Sequence, residues 1–386
     1  AQILRDQALH EGGAPEAGLI GSDVRVPARM AALVNGTTSH ALDYDDTHFA
    51  HIGHPSVAVV PAALAAAEIA SLSGRAFQDA ALVGAAASVR VGIWLGRAHY
   101  QSGFHQTATA GAFGATIAAG RLLGLDTGQM QMALGLVSTR ASGLKSQFGT
   151  MGKPMNAGIA AQNGIEAALL ARRGFISTPE ALDGPQGFGP THHGEALSDA
   201  FEGLGQRWLF AGVQHKFHAC CHGLHASLEA LSGLKVGEDG VEEIRVRIHP
   251  RWMSVCNIEA PKTGLEAKFS YRIALAMALL GYDTARLESF DDAVCADARV
   301  EDLRQRISVE TDEGLGEMQA RLFVTLANGA RQELFHDLDA DPGLEMRGTR
   351  VRAKAASLIG AERASRIWKT LEDAAPPADL VAELAR

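Results

Sequence analysis

The amino-acid sequence predicts an α-rich protein of two domains, a large all-α helical domain formed by both chain ends and a smaller α+β domain inserted between them. Three observations predict this. The first half is rich in Ala and Gly with apolar residues at helical spacing. Two later stretches, Val241 to His249 and Ala320 to Leu326, alternate apolar and polar residues as half-buried strands do. The tail from Glu345 to Arg386 then returns to a helical pattern. The boundaries that follow are 1–212 for the first part of the helical domain, 213–338 for the α+β domain, and 339–386 for the returning helices.

Taken in order, helices are expected over Pro61–Ala70, Ala76–Leu95, Gly111–Leu123 and Ala157–Arg173. Small residues let helix backbones approach closely, and Gly111 and Gly114 are expected to serve that packing. No G-x-G-x-x-G follows a strand, so a dinucleotide site is not expected. Between Phe175 and Trp208 stand Pro179, Pro185, Pro190 and six glycines, a composition that suits a connector or a substrate-adjacent loop. Asn328-Gly329 after the second alternating stretch is a strong hairpin signal, and Lys268 to Leu280 reads as a helix. The tail is interrupted at Pro376-Pro377 and is expected to pack on the first domain.

Composition removes several classes of function. At 386 residues, 47% hydrophobic and 20% charged, with a mean hydropathy of +0.01, the chain is globular rather than disordered. A net charge of -9 and no stripe of Lys and Arg exclude nucleic acid as a partner. Cys220, Cys221, Cys256 and Cys295 make no CxxC spacing, and no signal-peptide pattern opens the chain, which points to a reducing, cytoplasmic setting. No uninterrupted apolar run of the roughly 18–20 residues needed to span a bilayer is seen, so no membrane role is expected. The sequence begins at Ala1 without an initiator Met, and its first helix is expected to be incomplete.

Three polar clusters sit inside apolar or glycine-rich surroundings. The first runs from Asp43 to Ser56 and holds Asp43, Asp45, Asp46, Thr47, His48, His51 and His54, groups that give and take protons near neutral pH. A solvated loop with Asp45 or Asp46 capping a helix is the plainer alternative; a zinc site from His48, His51 and His54 is another, with spacing unlike a usual signature. The second, Gly103 to Gly111, puts His105, Thr107 and Thr109 before a helix of small residues, suited to an anion at a helix N-terminus, although capping or packing alone would also account for His105. The third places Lys153 between glycine and proline at another helix start, where it can pair with a carboxylate or simply be solvated.

Together these clusters resemble the 2-methylcitrate dehydratase (MmgE/PrpD) family, which includes cis-aconitate decarboxylase and iminodisuccinate epimerase. The markers are HALDYDDT followed by GHPS, GFHQTATAGAFGAT, FGTMGKPMNAGIAAQNG, and the K-x-x-x-x-C-x-x-x-H pattern from Lys216 to His225. The resemblance implies the same two-domain partition, a site in the cleft, a homodimer, and no cofactor or metal. It assigns Asp43, His54, His105, Lys153 and Lys216 to catalysis, and Thr47, Thr107, Cys221 and His225 to substrate binding. There are two departures. The family's chains begin a few dozen residues earlier, and Cys221 stands where cis-aconitate decarboxylase carries a histidine.

The expected function is abstraction of a proton α to a carboxylate of a small di- or tricarboxylic acid. Lys153, Lys216, His54 and His105 would hold substrate carboxylates while an imidazole or Asp43 takes the proton, and preorganised charge stabilises the resulting carbanion. A dehydratase-like hydro-lyase ranks first, an epimerase second and a decarboxylase third, since Cys221 removes the decarboxylase's usual donor. The readings from other classes are a metal-dependent hydrolase and a non-catalytic carboxylate-binding protein.

Overall fold

The computed structural model describes residues 1–235, 240–340 and 342–385. The chain divides into two compact units, Ala1–His215 with Ser365–Arg386, and Lys216–Ala364. The first is helical, and the second carries a four-stranded sheet with helices.

In the first unit the main helices are α1 (Gln2–Glu11), α2 (Ala28–His40), α3 (Ser56–Ile69), α4 (Gly74–Gln101), α5 (Gln106–Leu122), α6 (Thr127–Ser138) and α7 (Gly152–Arg172). Their starts are chemically marked. Ser73 accepts the Ala76 N–H ahead of α4, and Asp126 and Gln129 form a capping box on α6. Helix α3 begins before its expected start because Pro61 lies inside it. That proline reads as a helix opening in the sequence, but the buried Val57, Ala58, Val59, Ala62 and Ala63 around it hold the turn in place. Helix α7 likewise begins upstream of Ala157, so Lys153 belongs to its first turn.

Small residues set the distances between these helices. A Cβ on Gly36 of α2 would sit 2.9 Å from the Gly158 Cα of α7, and one on Gly84 of α4 would sit 2.6 Å from the Gly114 carbonyl of α5. Backbones therefore touch at these crossings, and larger residues would push the helix ends out of register. Between them Leu64, Leu95, Phe113 and Ile165 are fully buried, each worth about 1.5–3 kcal/mol of transfer free energy.

Helix α4 is long and apolar enough, by length and composition, to cross a membrane, contrary to the sequence expectation, yet 67% of its apolar window is buried in the protein. It is a core helix. Its Arg90, almost wholly buried, donates to the carbonyls of Ala200, Glu202 and Arg207, and so fastens the Pro/Gly-rich segment after Phe175 to the helical unit.

In the second unit, strands β1 (Val241–Ile248), β2 (Ile307–Thr311), β3 (Gln319–Leu326) and β4 (Arg331–Asp337) form a sheet in the order β2-β1-β3-β4. β1 and β2 are parallel and the other pairs antiparallel. The alternation in β3 is matched by alternating burial, and Gly329 takes the positive φ that its hairpin turn requires. The helix expected from Lys268 forms over Tyr271–Leu279, started by the Ser270 side chain accepting the Ile273 N–H. The helix Leu344–Ile359 lies in this unit, whereas the sequence boundary sent the chain back at 339. The reason is polar: Arg350 pairs with Glu229 and Lys354 donates to the Lys216 carbonyl at 2.7 Å.

Candidate active site

Four helix ends of the first unit carry the site. His40 closes α2, the loop from Asp43 to His54 leads into α3, His105 precedes α5, and Lys153 and Asn156 lie in the first turns of α7. The loop is locally strained, with Asp43 at φ 50° and the β-branched Ile52 at φ 54°. Asp tolerates this region; Ile does so only where surrounding contacts enforce it. An antiparallel bridge between His48 and Gly53 closes the loop around Ile52, and Asp46 pairs with His215 in a two-residue ladder.

Opposite charges meet within the cluster. The Lys153 ammonium lies 2.6 Å from Asp43 Oδ1, and His54 Nε2 approaches the same oxygen at 3.6 Å. Asp45 lies between two imidazoles, with His54 Nδ1 at 2.8 Å and His40 Nδ1 at 3.0 Å from both of its oxygens. Burial pushes the Asp45 pKa up, but the facing His54 and His40 outweigh it and hold the carboxyl well below its ordinary value. Asp46 differs: burial raises it to about 6 against the bonds it accepts from Ser56. Its carboxylate caps α3, with the Ser56 N–H at 3.3 Å and the Ser56 hydroxyl donating as well.

Burial of His105, then the neighbouring His40, His54 and Lys153, hold its pKa well below the ordinary value, which favours the neutral ring. Asn156 Nδ2 faces both His105 Nδ1 at 3.2 Å and the Leu144 carbonyl at 3.3 Å. A carbonyl can only accept, so this atom is the amide donor and His105 Nδ1 is the acceptor. The ring proton therefore sits on Nε2. His105 offers one N–H rather than a positive charge.

Thr107 is fully buried, and its hydroxyl accepts the His54 N–H at 3.1 Å, so it ties the loop to α5. Thr47 is half-buried beside the cluster and pairs with Gln214. Among the described residues His48 and His51 do not join His54 in a cluster of donor atoms, so the geometry gives the three-histidine zinc alternative no support. His48 Nε2 bonds the Leu209 carbonyl at 2.8 Å, and His51 is wholly buried against Gly92 with a pKa lowered to about 3 by desolvation. Among the described residues, the donor atoms that do lie together belong to His40, Asp43, Asp45 and His54, all within 4.8 Å. The Lys153 ammonium already pairs with Asp43 and His40 Nδ1 already bonds Asp45, so a divalent ion would have to displace them.

The remaining predicted residues lie in the second unit. Lys216 is buried there. Cys221 Sγ accepts from Cys256 Sγ at 3.1 Å, and its N–H donates to the Lys268 carbonyl. Burial raises the thiol pKa of Cys220, while the bond to Cys221 and burial raise that of Cys256, so both stay protonated. His225 is buried, bonded to the Cys220 backbone, and kept neutral chiefly by desolvation. It braces the Cys220-Cys221 turn through that bond. Sequence reasoning missed His40, which heads HALDYDDT, and Asn156, which lies within FGTMGKPMN; both were legible as members of quoted motifs.

Acids, imidazoles and one ammonium thus gather at neighbouring helix ends of the first unit, a clustering of titratable groups of the kind found at functional sites. The MmgE/PrpD N-terminal domain model matches residues 1–198 and the MmgE/PrpD C-terminal domain model matches residues 218–370. The chain belongs to the MmgE/PrpD family. Among curated proteins it is similar to the cis-aconitate decarboxylase-like protein oryM of Aspergillus oryzae, 33% identical over 56% of this chain and 48% of that protein. It is 28% identical to the cis-aconitate decarboxylase of Aspergillus terreus, over 71% of this chain and 62% of the relative. The Homo sapiens cis-aconitate decarboxylase is 28% identical over 91% of this chain and 78% of its own length. The chain thus spans about half of the first relative and under two thirds of the second.

Proposed function

We propose that this chain is a lyase that works at a carbon next to a carboxylate of a small polycarboxylic acid, with decarboxylation of a cis-aconitate-like substrate as its first reaction. The observation that carries the proposal is the Lys153–Asp43–His54–Asp45 chain of contacts facing a neutral His105. Lys153 supplies a positive charge for a substrate carboxylate. His105 donates its Nε2–H to an oxygen on which charge develops, and His54 exchanges the proton. When CO2 leaves, its bonding electron pair stays on the substrate carbon framework, and an N–H of this set returns a proton to it. The dehydratase-first ranking is revised because the relatives named above carry the decarboxylase name. In the second unit Lys216, by its match to the family motif, serves a substrate carboxylate.

A second reading, proton shift or epimerisation without loss of CO2, is favoured by Cys221. This thiol stands at the position where the resemblance puts the decarboxylase histidine, and a thiol with an ordinary pKa near 8.5 is a poorer acid at neutral pH than an imidazole near 6.5. The test is incubation with cis-aconitate and with 2-methylcitrate in D2O, followed by proton NMR and CO2 capture. Itaconate with stoichiometric CO2 supports the first reading. Deuterium uptake without CO2 supports the second, and unchanged acids would sink both.

A further inference from the structure

We infer that Cys221 and Cys256 form a dithiol site in the second unit, which a low-molecular-weight disulfide such as oxidised glutathione converts reversibly to an intramolecular disulfide. The inference goes beyond the proposed reaction and stands independently of it.

The two residues are 35 positions apart and belong to no cysteine motif, yet their sulfurs approach to 3.1 Å. One stretch of backbone imposes this approach from both sides. The Cys221 N–H donates to the Lys268 carbonyl at 2.9 Å. The chain leaving Cys256 is laddered to the same stretch, with Asn257 bridged to Ser270 and the Ile258 N–H donating to the Phe269 carbonyl at 3.1 Å. Tyr271, fully buried, donates its hydroxyl to the Gly223 carbonyl at 2.7 Å and so holds the turn that follows Cys221. Gly223 leaves the room that the approach needs, since a Cβ there would sit 2.9 Å from the Cys256 sulfur and 2.6 Å from the Trp252 ring. A disulfide places its sulfurs about 2.05 Å apart, so bond formation asks this pair to close by only about 1 Å, which side-chain rotation supplies.

Exposure sets the order of events. Cys221 is partly exposed and Cys256 is wholly buried, so the reagent meets Cys221 first. The Cys221 thiolate attacks one sulfur of oxidised glutathione, the reagent's S–S bond breaks, and one glutathione leaves and takes up the proton that Cys221 gave. The Cys256 sulfur then attacks the Cys221 sulfur of the mixed disulfide, and the second glutathione leaves with the Cys256 proton. Two protein thiols are oxidised, and one small disulfide is reduced to two thiols. The bond to Cys221 is the first cause that keeps Cys256 protonated, and that bond ends once Cys221 is capped. Cys220 does not compete for Cys221, because adjacent Cα atoms lie about 3.8 Å apart, short of the roughly 4.4–6.8 Å that a disulfide spans. Closing the bond removes the Cys221 S–H, the group on which this chain departs from the decarboxylase histidine.

The experiment incubates the full chain with oxidised glutathione in mildly alkaline buffer, quenches it with acid, and maps disulfides and remaining thiols by alkylation and peptide mass spectrometry, with turnover on cis-aconitate followed in parallel. The wild type is expected to lose the Cys221 and Cys256 thiols together and to yield one disulfide joining their peptides, which dithiothreitol reverses. Cys295→Ser should form the same disulfide, since the Cys295 S–H bonds the Thr263 carbonyl away from this pair. Cys256→Ser should stop at glutathione bound to Cys221, and Cys221→Ser should leave Cys256 unmodified. The wild-type map decides the inference even where a variant fails to fold: glutathione accumulating on Cys221 without a disulfide would overturn it, and so would Cys295 reacting while Cys221 and Cys256 stay as thiols. Turnover should fall about tenfold as the disulfide forms, the scale of one lost hydrogen bond, and return with dithiothreitol. A disulfide formed with turnover unchanged would uphold the site and remove Cys221 from substrate binding. A protein inactive on cis-aconitate throughout that still forms the disulfide would sink the proposed reaction and leave the site standing.

Discussion

Asp46→Asn isolates a buried carboxyl whose ionisation opposes folding. Burial raises its pKa from 3.8 to about 6, and the charge of Asp45 adds to this, against the lowering effect of the Ser56 hydroxyl and N–H. The folded protein therefore binds this proton more tightly than the unfolded chain does. Its contribution is fully present below about pH 4 and is lost as pH rises through about 6. The gap of about two pH units, at about 1.36 kcal/mol each, amounts to about 3 kcal/mol as an upper value. Asparagine retains an acceptor for Ser56 and cannot ionise. Urea unfolding of both proteins at several pH values between about 4 and 7, followed on the cooperative transition of the helical unit, gives the difference in stability. The buried histidines act with the opposite sign: His51, lowered to about 3, costs stability on acidification, but that effect is common to both proteins and cancels. The difference should shift in favour of the variant by up to about 3 kcal/mol between acid and neutral pH. A difference that does not change with pH would refute the reasoning.

Three other outcomes follow from the site and its supports. Lys153→Ala and His105→Ala should each lower kcat/KM roughly a hundredfold or more with the far-ultraviolet spectrum unchanged, because Asp43 is 44% exposed and water can solvate it once its ammonium is gone; near-normal kinetics in both would remove these residues from the mechanism. EDTA should leave turnover intact, since Lys153 already neutralises Asp43; activity lost to the chelator and restored by one divalent ion would make the four donors around His54 a metal centre. Arg90→Met should destabilise the helical unit by about 2–4 kcal/mol, because three or more carbonyls lose a buried donor, read as a shift of the urea midpoint and faster proteolysis between Phe175 and Trp208.

The helical half was legible because its signal is local. Apolar spacing and small residues mark α3, α4, α5 and α7 wherever one looks, and the Gly84–Gly114 approach is the packing that the paired glycines announce. Strands β1 and β3 were legible for the same reason. Strand β2 was not, because Ile307–Thr311 is short and pairs in parallel with a strand about sixty residues earlier, a relation that no local pattern encodes. The return of the tail was misplaced because Arg350 and Lys354 decide it through partners more than a hundred residues away. In the site, Asp45 resembled a helix cap by sequence; the fold makes it the bridge between two imidazoles, while the capping falls to Asp46. His40 was overlooked because it ends an otherwise apolar helix, where a lone histidine reads as packing.

The residues that break local rules are concentrated at one place in the helical unit. Lys153 sits in the first turn of α7, the end of a helix that favours anions over cations. Ile52 adopts a backbone conformation that costs a β-branched residue of the order of 1–3 kcal/mol. Asp45 is an ionised acid taken out of water. Each is unfavourable alone, and each is offset by another member of the same cluster: Lys153 by Asp43, Asp45 by His40 and His54, and the strained loop by the His48–Gly53 bridge and the Thr107 bond to His54. A fold selected for stability alone would place none of these groups there. Under the proposed reaction, their mutual compensation would leave His54, His105 Nε2–H and the Lys153 ammonium as the groups that an anionic substrate meets.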